Sequence, residues 1–104
     1  MTRFPLRENF GFALRALRKL QNMPQEALDG VSSRTYISTL ERGLKSPTLD
    51  KVDSIANELN VHPLVLVAYT YLRQCTEAEQ EAVLRQVQMQ LQELAKADFA
   101  RRDV

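Results

Sequence analysis

The stretch SSRTYISTLERG, Ser32 to Gly43, decides how this chain is read. It carries a helix's punctuation at both ends. Ser32 or Ser33 can accept a backbone N–H two or three residues on. Gly43 supplies the left-handed residue that ends a helix. Ile37 and Leu40, three apart, point one way into a core. Arg34, Thr35, Ser38 and Thr39 lie on the other faces. A helix this polar adds little to a core. It is either a solvated connector or an element whose outer face touches something.

Helical spacing continues on both sides. In Arg7–Gln21 the apolar residues Phe10, Ala13, Leu14, Leu17 and Leu20 recur as one stripe, with Asn9 or a neighbour as the expected cap. Gly11 weakens that helix by its low propensity. MPQEALDG, Met23 to Gly30, has Pro24 at a first helical position and Gly30 where a helix ends, which predicts a short second helix over Pro24–Asp29. Downstream, Thr48 caps a stripe of Leu49, Val52, Ile55, Ala56 and Leu59, stopped by Asn60. Pro63 sits at a first-turn position, and Leu64 to Leu72 is apolar on every face except at Thr70, so the preceding helices can cover only part of it. His62 precedes Pro63, where a capping or half-exposed packing role is expected.

Thr76 and Glu79 form a T-x-x-E capping box ahead of a long final helix. Within it Leu84, Val87, Leu91 and Leu94 are spaced 3, 4 and 3, a short coiled-coil-like seam. The inner VQMQLQ alternates like a strand, but its unbroken, Glu-, Gln- and Leu-rich surroundings favour helix. The fold class expected is all-α: a five-helix domain over residues 7–74 and an additional C-terminal helix over 76–102. Residues 1–6 and 102–104 are expected to fray.

The totals exclude more than they assign. The chain has 104 residues and a formal charge of +1, so its global field is weak. Residues 1–62 hold nine Lys/Arg against seven Asp/Glu, +2, and residues 63–104 hold five against six, −1. One cysteine, Cys75, allows no internal disulfide and no cysteine-based metal site. No signal-peptide run opens the chain and no apolar run is long enough for a bilayer, so a cytoplasmic protein with no membrane partner is expected. No nucleophile–base set, metal cluster or phosphate-cradling glycine loop is present in the sequence. No enzyme activity, metal or cofactor is therefore expected.

Two short helices joined by a glycine-containing turn outline a helix-turn-helix. In that motif the second helix lies in the major groove and presents its N-terminal residues to base edges. Arg34 can contact guanine through two hydrogen bonds.

Phe10 to about Leu66 resembles the phage-repressor (Cro/Xre) family of helix-turn-helix domains, a family that also illustrates the general docking geometry. The resemblance rests on LRKLQNMPQ, RTYIS, LERG followed by SPTLD, and IANELNVHPLVL. It implies site-specific binding of double-stranded DNA by a bacterial or phage-type transcription regulator. It implies base reading by Ser33, Arg34, Thr35, Ser38 and Thr39. Phosphate contacts are implied for Gln25, Tyr36, Arg42 and Lys45. A structural ion pair between Arg18 and Glu41 is implied as well. The connection between Gln25 and Ile37 is shorter than the commoner family pattern, so helix two or the turn is expected to be shortened.

The uncovered helix Leu64–Leu72 and the final seam together point to a homodimer, with Leu66, Tyr69, Leu84, Val87, Leu91 and Leu94 in its interface. A dimer matches an inverted-repeat operator. The rival from another class is a protein-interaction module, such as an antitoxin or regulatory partner, that uses the same surfaces for a different protein.

Overall fold

The computed structural model describes residues 4–102. The described residues form five α-helices and one 3-10 turn, with no strand. In order they are α1 (Leu6–Leu20), the 3-10 turn Gln25–Leu28, α2 (Arg34–Glu41), α3 (Leu49–Glu58), α4 (Pro63–Leu72) and α5 (Glu77–Arg102). The chain divides into two compact units between Arg73 and Gln74, the first holding α1 to α4 and the second α5. Of the ends expected to fray, residues 1–3, 103 and 104 lie outside the described residues. Within the described part of those ends, the Phe4 ring meets Phe12 edge-on at 5.9 Å between centroids, and Leu6 opens α1.

In the first unit α1 packs against α2 and α4, and α3 packs against α4. Leu14, Leu28, Ile37, Leu40, Ile55, Leu59 and Leu66 are fully buried in one core. The helical stripes read from the sequence supply most of it. Two of their members do not. Leu20 and Leu49 are 78% and 83% exposed, because each sits at a helix end beyond the neighbours that cover the stripe.

Helix starts follow local chemistry. Ser33, Thr48 and His62 each accept a backbone N–H, from Tyr36, Lys51 and Leu64, at 3.1 Å. The start of α1 departs from expectation: Pro5 precedes it, and its carbonyl accepts from Glu8 and Asn9. Asn9 is buried within the helix instead, accepting from Arg73 Nη1 at 3.1 Å. The Arg73 guanidinium also lies 4.2 Å from the Phe12 ring centroid, so the residue that caps the end of α4 is fastened to α1 by a hydrogen bond and a cation–π contact.

Helices α1, α2 and α3 end alike. Asn22, Gly43 and Asn60 adopt left-handed backbone (φ 56°, 72° and 58°). The next amide then reaches back, Met23 to Arg18, Leu44 to Thr39 and Val61 to Ala56, at 2.9–3.1 Å. These are Schellman closures, each followed by an apolar residue. Gly30, read as a helix terminator, has no such role: its backbone is not left-handed and a side chain there would meet open space.

Gly11 has a role the sequence did not reveal. A Cβ there would lie 2.6 Å from the carbonyl oxygens of Leu40 and Glu41. The absence of a side chain lets the end of α2 rest directly on α1. Gly11→Ala gains helix propensity but must push two backbone segments apart. We expect a net loss of about 1–3 kcal/mol, read as a lower urea midpoint.

The second unit is a single 26-residue helix. Its capping box is closed in both directions: Thr76 N donates to Glu79 Oε1 at 3.0 Å and Glu79 N to Thr76 Oγ1 at 3.2 Å. The bond from the Thr76 amide is the chief reason the Glu79 carboxyl is held below its ordinary range. A lowered carboxyl stabilises the helix fully above the ordinary glutamate pKa and loses that effect as pH falls through the lowered value. The Thr76 amide shift should therefore titrate with a midpoint below about 4.3, and Glu79→Gln should abolish that titration.

Candidate nucleic-acid interface

The site is built from the inside outward. Arg18 on α1 reaches across to Glu41, the last residue of α2. Nε donates to Oε2 at 2.7 Å and Nη2 to Oε1 at 3.0 Å. Nη1 donates to the Met23 carbonyl at 2.8 Å. Gln25 Nε2 completes the group, donating to Glu41 Oε1 at 3.1 Å. The two charged side chains are only 11% and 5% exposed. The hydrogen bond to Glu41 raises the Arg18 pKa further, partly opposed by burial. This cluster ties α1, the start of the 3-10 turn and α2 into one rigid frame.

Gln25 is thus drawn inward, and its amide braces α2 through Glu41. The short connection flagged in the sequence is absorbed by the second element, which is a four-residue 3-10 turn rather than an α-helix. Leu28 at its end is fully buried and anchors it. Lys51 of α3 closes the next segment by donating to the Val31 carbonyl at 2.9 Å. Its ammonium also lies 5.8 Å from the Tyr36 ring centroid. Sequence reading missed Lys51, because a lysine on an amphipathic helix looks like a solvated residue. Its position three residues after the Thr48 cap gave no sign of a partner twenty residues upstream.

With its inner face held by Ile37 and Leu40, α2 presents the rest outward. Arg34 and Thr35 are exposed at its first positions. Ser38 and Thr39 are half-buried on the next turn. Ser33 is the cap, so its oxygen already accepts from Tyr36, leaving its O–H as a donor. The Thr39 hydroxyl donates to the Thr35 carbonyl at 2.8 Å, leaving its oxygen as an acceptor. Arg42 and Lys45 are exposed just beyond the helix, and Tyr36 is half-buried at its edge. One contact was not anticipated: Arg34 Nη2 meets Glu26 Oε1 at 2.5 Å in an open ion pair. Among the described residues no cluster of His, Cys, Asp or Glu could hold a metal ion. No described helix is long and apolar enough to cross a membrane.

The frame, the short connection and the exposed polar helix are those of a helix-turn-helix domain. Residues 14–66 match the helix-turn-helix family model. The chain belongs to the Cro/Xre-type helix-turn-helix family. It is 37% identical over 71 residues to the control protein C.BamHI of Bacillus amyloliquefaciens, covering 65% of this chain and 88% of that one. Two crystal structures of the clp gene regulator ClgR from Corynebacterium glutamicum share its fold at 25% identity. One has a TM-score of 0.65, over 72% of this chain and all of the ClgR chain. The other has a TM-score of 0.66, over 86% and 97%. This Cro/Xre-type protein is a DNA-binding transcription regulator, of a family that is generally not enzymatic.

Leu66, expected in a dimer interface, is not available to one. Leu66 is fully buried in its own domain, facing inward with Thr70, whose hydroxyl donates to the Leu66 carbonyl at 2.8 Å. One face of α4 is spent on the core, and Leu66 lies on that face. Tyr69, by contrast, is 44% exposed.

The frame makes a stability prediction. Glu41→Ala strands the Arg18 guanidinium away from water and should cost about 3–5 kcal/mol in urea unfolding. Replacing both partners, Arg18→Met with Glu41→Leu, should restore most of that loss, because no charge is then left buried.

Proposed function

We propose that this regulator binds an inverted-repeat operator as a homodimer, each copy laying α2 in the major groove of one half-site. The carrying observation is the division of α2: Ile37 and Leu40 are sealed in the core while Arg34 and Thr35 stand exposed at the N-terminal end. That end is the part of a recognition helix that meets base edges. Ser33, Ser38 and Thr39 flank it with hydroxyls, while Arg42 and Lys45 supply cations beyond it for the phosphates. Tyr36, beside the Lys51 ammonium, borders the same backbone-facing edge. The weak net charge makes this local arrangement, rather than a broad basic field, the source of affinity.

The dimer reading rests on apolar surface. Tyr69 of α4 is exposed, and so are Leu84, Val87, Leu91 and Leu94 of α5, at 46–65%. Burying one such side chain fully is worth about 1.5–3 kcal/mol. Their seam spacing suits pairing with a second helix. A short recognition helix also reads too few bases alone to be selective. The reading places the protein in the cytoplasm, with its DNA and without a cofactor.

Selection from random duplex DNA at near-physiological salt tests this. The expected result is an inverted repeat with half-sites about 34–36 Å apart, or a multiple of that spacing. No enrichment over random would favour the rival reading, in which the exposed faces of α4 and α5 bind a different protein. On the selected operator, Arg34→Ala should cost about 1–3 kcal/mol and relax preference at one position per half-site. Lys45→Ala should weaken all duplexes alike, with a salt slope shallower by about 1.

A further inference from the structure

The Arg34–Glu26 ion pair is an unexpected partnership for a DNA-reading face. A carboxylate beside the groove repels phosphate, so it lowers affinity for every duplex. Its position is nevertheless well defined. Glu26 follows Gln25, whose amide is locked onto Glu41, and it stands two residues before the buried Leu28. The 3-10 turn therefore holds Glu26 on a fixed backbone, facing the first residue of α2. Both side chains remain wet, Arg34 at 65% and Glu26 at 47% exposure, so the pair adds little to the fold.

We infer that Glu26 is a positioning residue for base recognition, one that gives Arg34 selectivity for a base edge over a phosphate. The inference rests on the reading of α2 as the recognition helix. An arginine has five N–H donors arranged as a planar fork. One edge can stay on Glu26 while the other donates to guanine O6 and N7. The carboxylate then acts in two ways. It limits the directions the long Arg34 side chain can take, so less freedom is lost on binding. It also cancels the charge of the guanidinium. Attraction to a phosphate depends on that charge and is offset by repulsion from Glu26. Hydrogen bonding to guanine's neutral acceptors depends on direction and survives. Free of Glu26, Arg34 would swing to phosphates and hold all duplexes more evenly.

The test compares the operator recovered by selection with a scrambled duplex of the same length and composition, across a salt series. Glu26→Gln should tighten binding to the scrambled duplex several-fold and steepen its salt slope by about one. The ratio of operator to scrambled affinity should fall by about tenfold, the worth of one good base contact. Glu26→Asp keeps the charge but shortens the reach. It should lower the ratio while leaving the salt slope unchanged. In an Arg34→Ala background, Glu26→Gln should shift both duplexes equally. If Glu26→Gln shifts both duplexes equally with Arg34 present, Glu26 is only a repulsive charge and the inference is overturned. If Arg34→Ala alone leaves operator preference intact, the recognition-helix reading fails and this inference fails with it.

Discussion

The buried ion pair between Arg18 and Glu41 is the constraint on which the domain's working parts depend. Two opposite charges with almost no access to water are stable together only if their hydrogen-bonding atoms are satisfied. Here they are: the guanidinium serves two carboxylate oxygens and the Met23 carbonyl, and the carboxylate also accepts from Gln25. Two of the bonds join α1 to α2, one reaches the chain just after α1 at Met23, and one reaches the 3-10 turn at Gln25. The pair thereby sets where α1 ends, where the 3-10 turn begins and how α2 lies between them. A hydrophobic contact in the same place would tolerate sliding. A two-pronged guanidinium–carboxylate contact fixes direction as well as distance.

Close backbone approach is the second half of the same device. Gly11 lets the carbonyls at the end of α2 rest on α1, and the Glu41 side chain then meets Arg18 two turns further along. Gly43, left-handed and pressed against Glu8, turns the chain away at once. A helix with only two fully buried residues is held by these contacts at its C-terminal end. Its N-terminal end is left to carry Arg34 and Thr35. That polarity explains how so polar a helix can be both well placed and open at its N-terminal end.

The apolar helix α4 divides its surface differently from what its composition suggests. Leu66, Thr70 and Leu72 face inward, while Leu64, Val65, Tyr69 and Tyr71 remain 44–65% exposed. A threonine on the buried side is tolerated because its hydroxyl is satisfied by the preceding turn. The seam residues of α5, Leu84, Val87, Leu91 and Leu94, are exposed in the same way.

Much of this protein was legible in its residues. The caps Ser33, Thr48, His62 and Thr76, and the left-handed Gly43 and Asn60, act through neighbours a few residues away, so local sequence determines them. Periodicity likewise determined which faces of α1, α2 and α3 are buried, apart from the ends at Leu20 and Leu49. The family resemblance supplied the pairing of Arg18 with Glu41, which spacing alone would not have shown. Other features depend on residues brought together from far apart. Gly11 looks like a weak helix residue until α2 lies on it. Lys51 looks solvated until the Val31 carbonyl faces it. Asn9 looks like a cap until Arg73 arrives from the end of α4. Leu66 cannot be told from its apolar neighbours until one side of α4 meets the core. Sequence by itself determined most of the helices, most of their ends and the polar character of α2, because those are short-range effects; the start of α1 and the 3-10 form of Gln25–Leu28 were the exceptions. Only the tertiary structure decided which polar groups are used inside the domain and which remain free, because that depends on partners many residues away.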